Sequence, residues 1–212
     1  MILTVGDSFT YGAELADREQ DAWPFVLGRE LNLDVENLAV PAGSNDRTFR
    51  VAVNKTASNN YKLVICGWTE VSRIDTTAHG EELQITSAST WLHDKFPWVK
   101  DYYANHYSEQ LAQETWLTKV LTLQDFFKHR NQKYIFASMN GYDAWEEYFG
   151  NLGLTHLVEQ IDKSNYIEWP NNGFTAFVNG APLGPNGHPL ELGHQRIADK
   201  IYEHIRNIGW FS

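Results

Sequence analysis

Cysteine is almost missing from these 212 residues, with Cys66 standing alone. A single thiol excludes an internal disulfide and suits a reducing compartment. Cations are scarce as well. Seventeen Lys and Arg against 27 Asp and Glu give a formal charge of -10, without the clustered positive charge that phosphate binding requires, so nucleic acid is not an expected partner. There is no long apolar run, and Met1 leads straight into a short strand without a basic n-region. Neither a secretory signal nor a membrane span is therefore expected, and the expected location is cytoplasmic, with an exported or viral protein able to look the same. The chain has no Gly-x4-Gly-Lys-Ser/Thr loop and no Gly-x-Gly-x-x-Gly, which leaves nucleotide binding without support. Scattered histidines without zinc-type spacing predict no metal, and no cofactor is expected. Nothing in the sequence bears on oligomeric state.

What is present is apolar and aromatic, at 42% and 14% of residues, enough for one well-buried core in a single domain over 1–212. Ile2, Leu3 and Val5 read as a buried strand that runs into Gly6-Asp7-Ser8. Gly6 can turn sharply there, holding Ser8 at the carboxyl end of the strand, where open α/β sheets put their ligands. Ser8 is thus a candidate nucleophile. The same stretch also fits an ordinary strand-to-helix turn capped by Asp7 and Ser8.

Apolar spacing then predicts a helix over 17–31, a strand over 33–38 and a turn-rich loop through Gly43. A helix over 48–57 capped by Ser44 or Asn45 follows, then a continuously apolar strand over 62–66. Such alternation implies parallel strands with right-handed crossovers. The rhythm breaks between 75 and 116, where Trp91, Phe96, Trp98, Tyr102, Tyr103 and Tyr107 accumulate and no strand stands out. We read an aromatic-rich insertion, its rings filling a satellite core with some of them lining a cleft. A long amphipathic helix over 108–128, a strand over 134–137, short helices near Trp145 and over 154–161, and an ambiguous tract over 167–178 follow. A Gly/Pro-rich loop, Gly184-Pro185-Asn186-Gly187-His188-Pro189, then delivers His188 just ahead of a helix with Leu192, Ile197, Ile201 and Ile205 at core positions. His194 falls inside that helical pattern and reads as structural. Glu191-x-x-His194 is a lone copy of a metal-site pattern that needs partners this chain does not have.

Together these pieces resemble the SGNH (GDSL esterase/lipase) hydrolases. The first block matches at Gly6-Asp7-Ser8, the second contributes Gly43, and the last matches at His188-Pro189 and Gly193-His194-Gln195-Arg196. The third block, usually Gly-x-Asn-Asp, reads Gly67-Trp68-Thr69-Glu70. The aspartate usual two or three residues before the histidine is replaced by Asn186 and Pro185. The resemblance implies a three-layer α/β/α sandwich with a mostly parallel central sheet, Ser8 as nucleophile and His188 as general base. Asn186 then stands in the orienting slot, so Asn186→Asp should raise activity if that slot is used. The oxyanion donors fall on the backbone of Ser8 and Gly43 and the side chain of Thr69, with Asp7, Asn45 and Glu70 as supporting groups. The implied function is hydrolysis of a carboxylic ester, an O-acetyl carbohydrate or another small acyl ester, and the expected partner is that small-molecule or carbohydrate substrate. A second reading is an SGNH-fold protein that binds a glycan or a protein partner without turnover.

Overall fold

A computed structural model describes residues 1–78, 81–87, 89 and 92–211. In chain order the elements are β1 (Ile2–Val5), α1 (Ser8–Tyr11), α2 (Arg18–Asp21), α3 (Trp23–Leu31), β2 (Val35–Asn37), α4 (Asn45–Ser58) and β3 (Leu63–Trp68). There follow β4 (Ile74–Ala78), β5 (Glu81–Ile85), α5 (Leu92–Lys95), α6 (Pro97–Asp101), a π-helical turn (Tyr102–His106) and α7 (Glu109–His129). The chain continues with β6 (Tyr134–Ser138), α8 (Trp145–Asn151), α9 (Thr155–Val158), a 3₁₀ turn (Lys163–Asn165), α10 (Phe174–Phe177) and α11 (Glu191–Asn207).

Strands β2, β1, β3 and β6 form one parallel sheet in that spatial order. Side chains alternate across a strand, and the core divides accordingly. Leu3, Val5, Val64, Cys66, Trp68 and Phe136 pack on one face with Trp116, Val120 and Phe127 of α7, while Ile2, Leu63, Ile65, Ile135 and Ala137 pack on the other with Leu27 of α3 and Ile197, Ile201 and Ile205 of α11. This is the expected three-layer sandwich. Because all four strands run the same way, the loops after β1, β3 and β6 gather at one edge of the sheet.

Helix ends follow local chemistry. The Ser44 hydroxyl accepts from the Arg47 N–H to cap α4, and Ser108 caps α7 through the Leu111 N–H. The helix expected over 17–31 is split at Ala22, which is extended (ψ 138°), and Pro24 sits in the first turn of α3, where a missing N–H costs nothing. One expected core position, Leu192, faces outward at 48% exposed, and Leu111 on α7 is likewise exposed at 62%.

The region read as strandless contains an antiparallel hairpin, β4–β5, pairing Ile74 with Ile85 and Ala78 with Glu81. Its strands are short and interspersed with Thr, Asp and Glu, too polar to stand out as buried strands. A satellite core of Ile85, Leu92, Phe96 and Val99, with Tyr103 packed against it, lies under the insertion. Trp98 is exposed, and Tyr102, Tyr103 and Tyr107 contact one another. Trp91 lies outside the described residues.

Candidate active site

Gly6 carries the chain out of β1, and Asp7 caps α1 by accepting the Phe9 N–H at Oδ1 (3.0 Å). Ser8 is the first residue of α1. Its backbone N–H therefore has no intrahelical acceptor, and its side chain is buried but hydrogen-bonded to no described residue.

The second and third loops close on the first. Gly43 lies against this turn, where a Cβ would come within 2.6 Å of the Gly6 carbonyl oxygen, so only glycine fits. Its N–H donates within its own turn, to Val40 O at 3.1 Å. Asn45 and Thr69 clamp the two loops together. The Thr69 N–H donates to Asn45 Oδ1 (2.8 Å), and Asn45 Nδ2 donates to Thr69 O (2.9 Å). The Thr69 hydroxyl donates to Asp7 Oδ2 (2.8 Å), which also accepts from Arg73 Nη1 at 3.0 Å. Asp7 thus holds the Ser8 turn through a buried ion pair with Arg73, a residue that no block pattern had marked.

The C-terminal loop supplies His188. A backbone hydrogen bond from Gly184 N–H to His188 O and a bridge between Leu183 and Pro189 close that loop, and the His188 ring stands edge-on against Phe9, with ring centroids 6.2 Å apart. The fold thus brings His188 to the segment that carries Ser8, although no hydrogen bond joins their side chains. His188 Nδ1 lies 2.8 Å from Oε2 of Glu14, a residue six places after Ser8. Asn186 makes no hydrogen bond to the imidazole. Its backbone N–H (3.0 and 3.1 Å) and its Nδ2 (3.0 Å) both donate to the Glu14 carboxylate. Glu70 is exposed, lines the cleft beside Thr69 and forms no hydrogen bond or ion pair with His188.

Partial burial pushes the Glu14 carboxyl up, but hydrogen bonds from Asn186 and His188 outweigh it and hold the group below the usual carboxylate range. His194 is different in kind. It is fully buried in α11, accepts the Trp23 N–H at Nδ1 (3.2 Å), and burial lowers its pKa to about 4, so it is a neutral structural ring.

Beside Thr69 opens a cleft of about 370 Å³, lined by Glu70, Tyr107, Glu109, Asn140, Tyr142 and Tyr148 among others. Two insertion-to-helix features furnish it: Tyr148 donates to Glu109 Oε1 (2.7 Å), and Tyr107 donates to the other carboxylate oxygen. No cluster of His, Cys, Asp and Glu suited to a metal ion occurs among the described residues. No described helix is long and apolar enough to cross a membrane.

No curated protein matches the chain. Among solved structures, it is similar to a lipolytic G-D-S-L protein from Desulfitobacterium hafniense DCB-2, with a TM-score of 0.56 and 13% identity over 96% of this chain and 98% of that one. It is also similar to the psychrotrophic esterase EstA from Pseudoalteromonas sp., with a TM-score of 0.58 and 12% identity over 97% and 96% of the two chains. A third likeness is to an acetyl xylan esterase, AlAXEase, with a TM-score of 0.51 and 10% identity over 97% and 100%. At these identities the likeness is one of fold, and that fold is the SGNH-hydrolase sandwich. A model described as a family of unknown function, DUF6071, matches residues 10–211, and the chain belongs to that family.

Proposed function

We propose that this protein is a serine hydrolase that cleaves a carboxylic ester through an acyl-enzyme on Ser8. The observation that carries this reading is the meeting of the His188 ring with the Ser8 segment, edge-on to Phe9 and tied to Glu14, across the sheet edge where parallel strands expose their carboxyl ends. A serine hydroxyl is a poor nucleophile until a base accepts its proton. Since an ionised Glu14 can only accept, the neutral ring holds its proton on Nδ1, leaving Nε2 with the lone pair a general base needs. Ser8 Oγ then adds to the ester carbonyl as His188 Nε2 takes its proton. The same proton goes to the departing alcohol, and water, deprotonated in turn by His188, releases the acid. The Ser8–His188 hydrogen bond forms as substrate is bound, as such contacts often tighten only in the complex.

The Ser8 N–H, which has no acceptor among the described residues, is the first oxyanion donor. Gly43 N–H and the Thr69 hydroxyl join it by exchanging Val40 O and Asp7 Oδ2 for the developing charge. The tyrosine-lined cleft beside Thr69 suits a hydroxyl-rich alcohol portion, such as a sugar carrying an acetyl group, because its rings offer apolar faces and its Glu, Asn and Tyr groups offer hydrogen bonds. The likeness to an acetyl xylan esterase supports that choice. p-Nitrophenyl acetate hydrolysis by the purified protein should exceed that of Ser8→Ala by at least about 10³; equal rates would end the hydrolase reading.

One observation favours a second reading. Gly43 N–H and Thr69 Oγ1 are both engaged inside the protein, as in a site that binds a glycan without turning it over. Glycan-array binding that persists in Ser8→Ala, together with absent turnover, would select it.

A further inference from the structure

The SGNH resemblance puts the orienting acid two or three residues before the histidine, and there this chain has only Asn186 and Pro185. The structure holds an acid against the histidine all the same, but from the other end of the polypeptide. We propose that Glu14, from the loop after the nucleophile helix, is the positioning residue of the site, fixing the His188 ring and balancing the charge it gains, and that Asn186 acts on Glu14 rather than on the histidine.

Three independent features of the loop support the assignment. First, the carboxylate is saturated by donors. His188 Nδ1 (2.8 Å) and the His188 N–H (3.2 Å) meet Oε2, Asn186 Nδ2 (3.0 Å) meets Oε1, and the Asn186 N–H spans both oxygens. Only an acceptor-only group suits that environment, because an amide would turn an NH₂ toward one of these N–H groups. Second, Glu14 adopts φ +67°, a left-handed conformation uncommon for a residue with a side chain, and such strain persists where surrounding contacts enforce it. Third, room has been left for the carboxylate. A Cβ on Gly184 would lie 2.7 Å from Glu14 Cδ and 2.8 Å from Oε2. The side chains of Glu14 and His188 are 14% and 24% exposed, so the pair is shielded from water more than a surface ion pair is. Glu14 is the one charged side chain bonded to the ring among the described residues, and His194, which interacts electrostatically with the ring, is buried and neutral.

Asn186 keeps the position along the chain of the usual acid, yet its amide is spent as a donor to Glu14. The device is therefore relayed. The C-terminal loop contributes the base and a clamp, and the N-terminal loop contributes both the nucleophile and the acid. Removing the charge leaves His188 free to put its proton on Nε2, the tautomer that cannot act as base.

This inference rests on the hydrolase reading for its kinetic arm only. On the full chain, Glu14→Gln should lower kcat for p-nitrophenyl acetate by about 10⁴ with a nearly unchanged KM, as neutralising the orienting acid does in serine proteases. It should also move the ring 15N resonances of His188 from the pattern of an Nδ1-protonated ring toward that of an Nε2-protonated one, because the anionic acceptor that holds the proton on Nδ1 is gone. Glu14→Asp should recover part of both. Gly184→Ala, which leaves the acid in the sequence but displaces it, should act in the same direction as Glu14→Gln if that variant does not fold. A mere loop anchor would lower thermal stability and leave kcat and the His188 15N pattern in place, and that result overturns the proposal. Absence of turnover in the wild type would instead overturn the hydrolase reading, and the ring 15N pattern alone would then decide whether Glu14 fixes the His188 ring.

Discussion

Glu14 shows how much a single residue's surroundings say that its position in the sequence does not. Six residues after Ser8, in Gly12-Ala13-Glu14, it belongs to no block of the SGNH pattern, and the spacing rules that pick out Ser8 and His188 are blind to it because it meets His188 only after the sheet has brought both ends of the chain to one edge. Asn186 was legible as a departure from the pattern, but its consequence was not. A carboxylate at 186 would face Glu14 across the 3.0 Å now spanned by an amide hydrogen bond. We therefore expect Asn186→Asp to lower esterase activity, by about tenfold for each pH unit that the Glu14 pKa rises into the assay range. Turnover of the variant at several pH values checks this, and an increase at neutral pH would return residue 186 to the orienting role. Thr69 was also legible, as the substitute for an asparagine. Its hydroxyl bond to Asp7 was not, since only the packed loops bring residues 7 and 69 together.

At the scale of elements, the long periodic segments read correctly, and so did the short strand β2 and the short helix α8. Strand β3 is apolar throughout and α7 carries its stripe over 21 residues, so both were plain from the sequence. The β4–β5 hairpin was missed. Its attachment is largely polar and long-range: Arg50 reaches Asp75 (2.6 Å) and Glu82 (2.9 Å), and Gln84 Oε1 accepts the Ser44 N–H (3.2 Å) beside Gly43. No periodicity reports such contacts. Helix α11 yields a prediction of its own. Its apolar face buries Ile197, Ile201 and Ile205, each worth roughly 1.5–3 kcal/mol, and seats the neutral His194 against α3. With the folded pKa near 4 and the unfolded value near 6.5, the unfolded state takes up the proton first as pH falls. The contribution of His194 is therefore complete above about pH 6.5, declines between there and pH 4, and amounts to about 3 kcal/mol at most. Urea denaturation at stepped pH should show this slope, flattened in His194→Gln. An identical slope in the variant would assign the acid sensitivity to other groups.

For the whole molecule, the parallel sheet makes the function local. Every group argued to act lies at the carboxyl edge, in a loop or the first turn of a helix: residues 6–14 after β1, 43–45 at the start of α4, 69–73 after β3 and 184–188 before α11. The insertion and the loop after β6 add the tyrosine-lined cleft next to them. The two faces of the sheet hold this edge still through packed apolar layers, so the site rests on rigid elements although its residues stand on loops. The fold and the candidate nucleophile were visible in the sequence because strand runs and short blocks are local. The proposed acid, the Arg73–Asp7 pair and the internal engagement of the candidate oxyanion donors were not, because each exists only where distant segments meet. The claim on which the rest depends is that Ser8 is the activated group. Peptide mapping after treatment with a fluorophosphonate tests it most directly: a single adduct on the peptide carrying Ser8, lost in His188→Ala, is the predicted result, and an unmodified Ser8 or an adduct on another residue would contradict it.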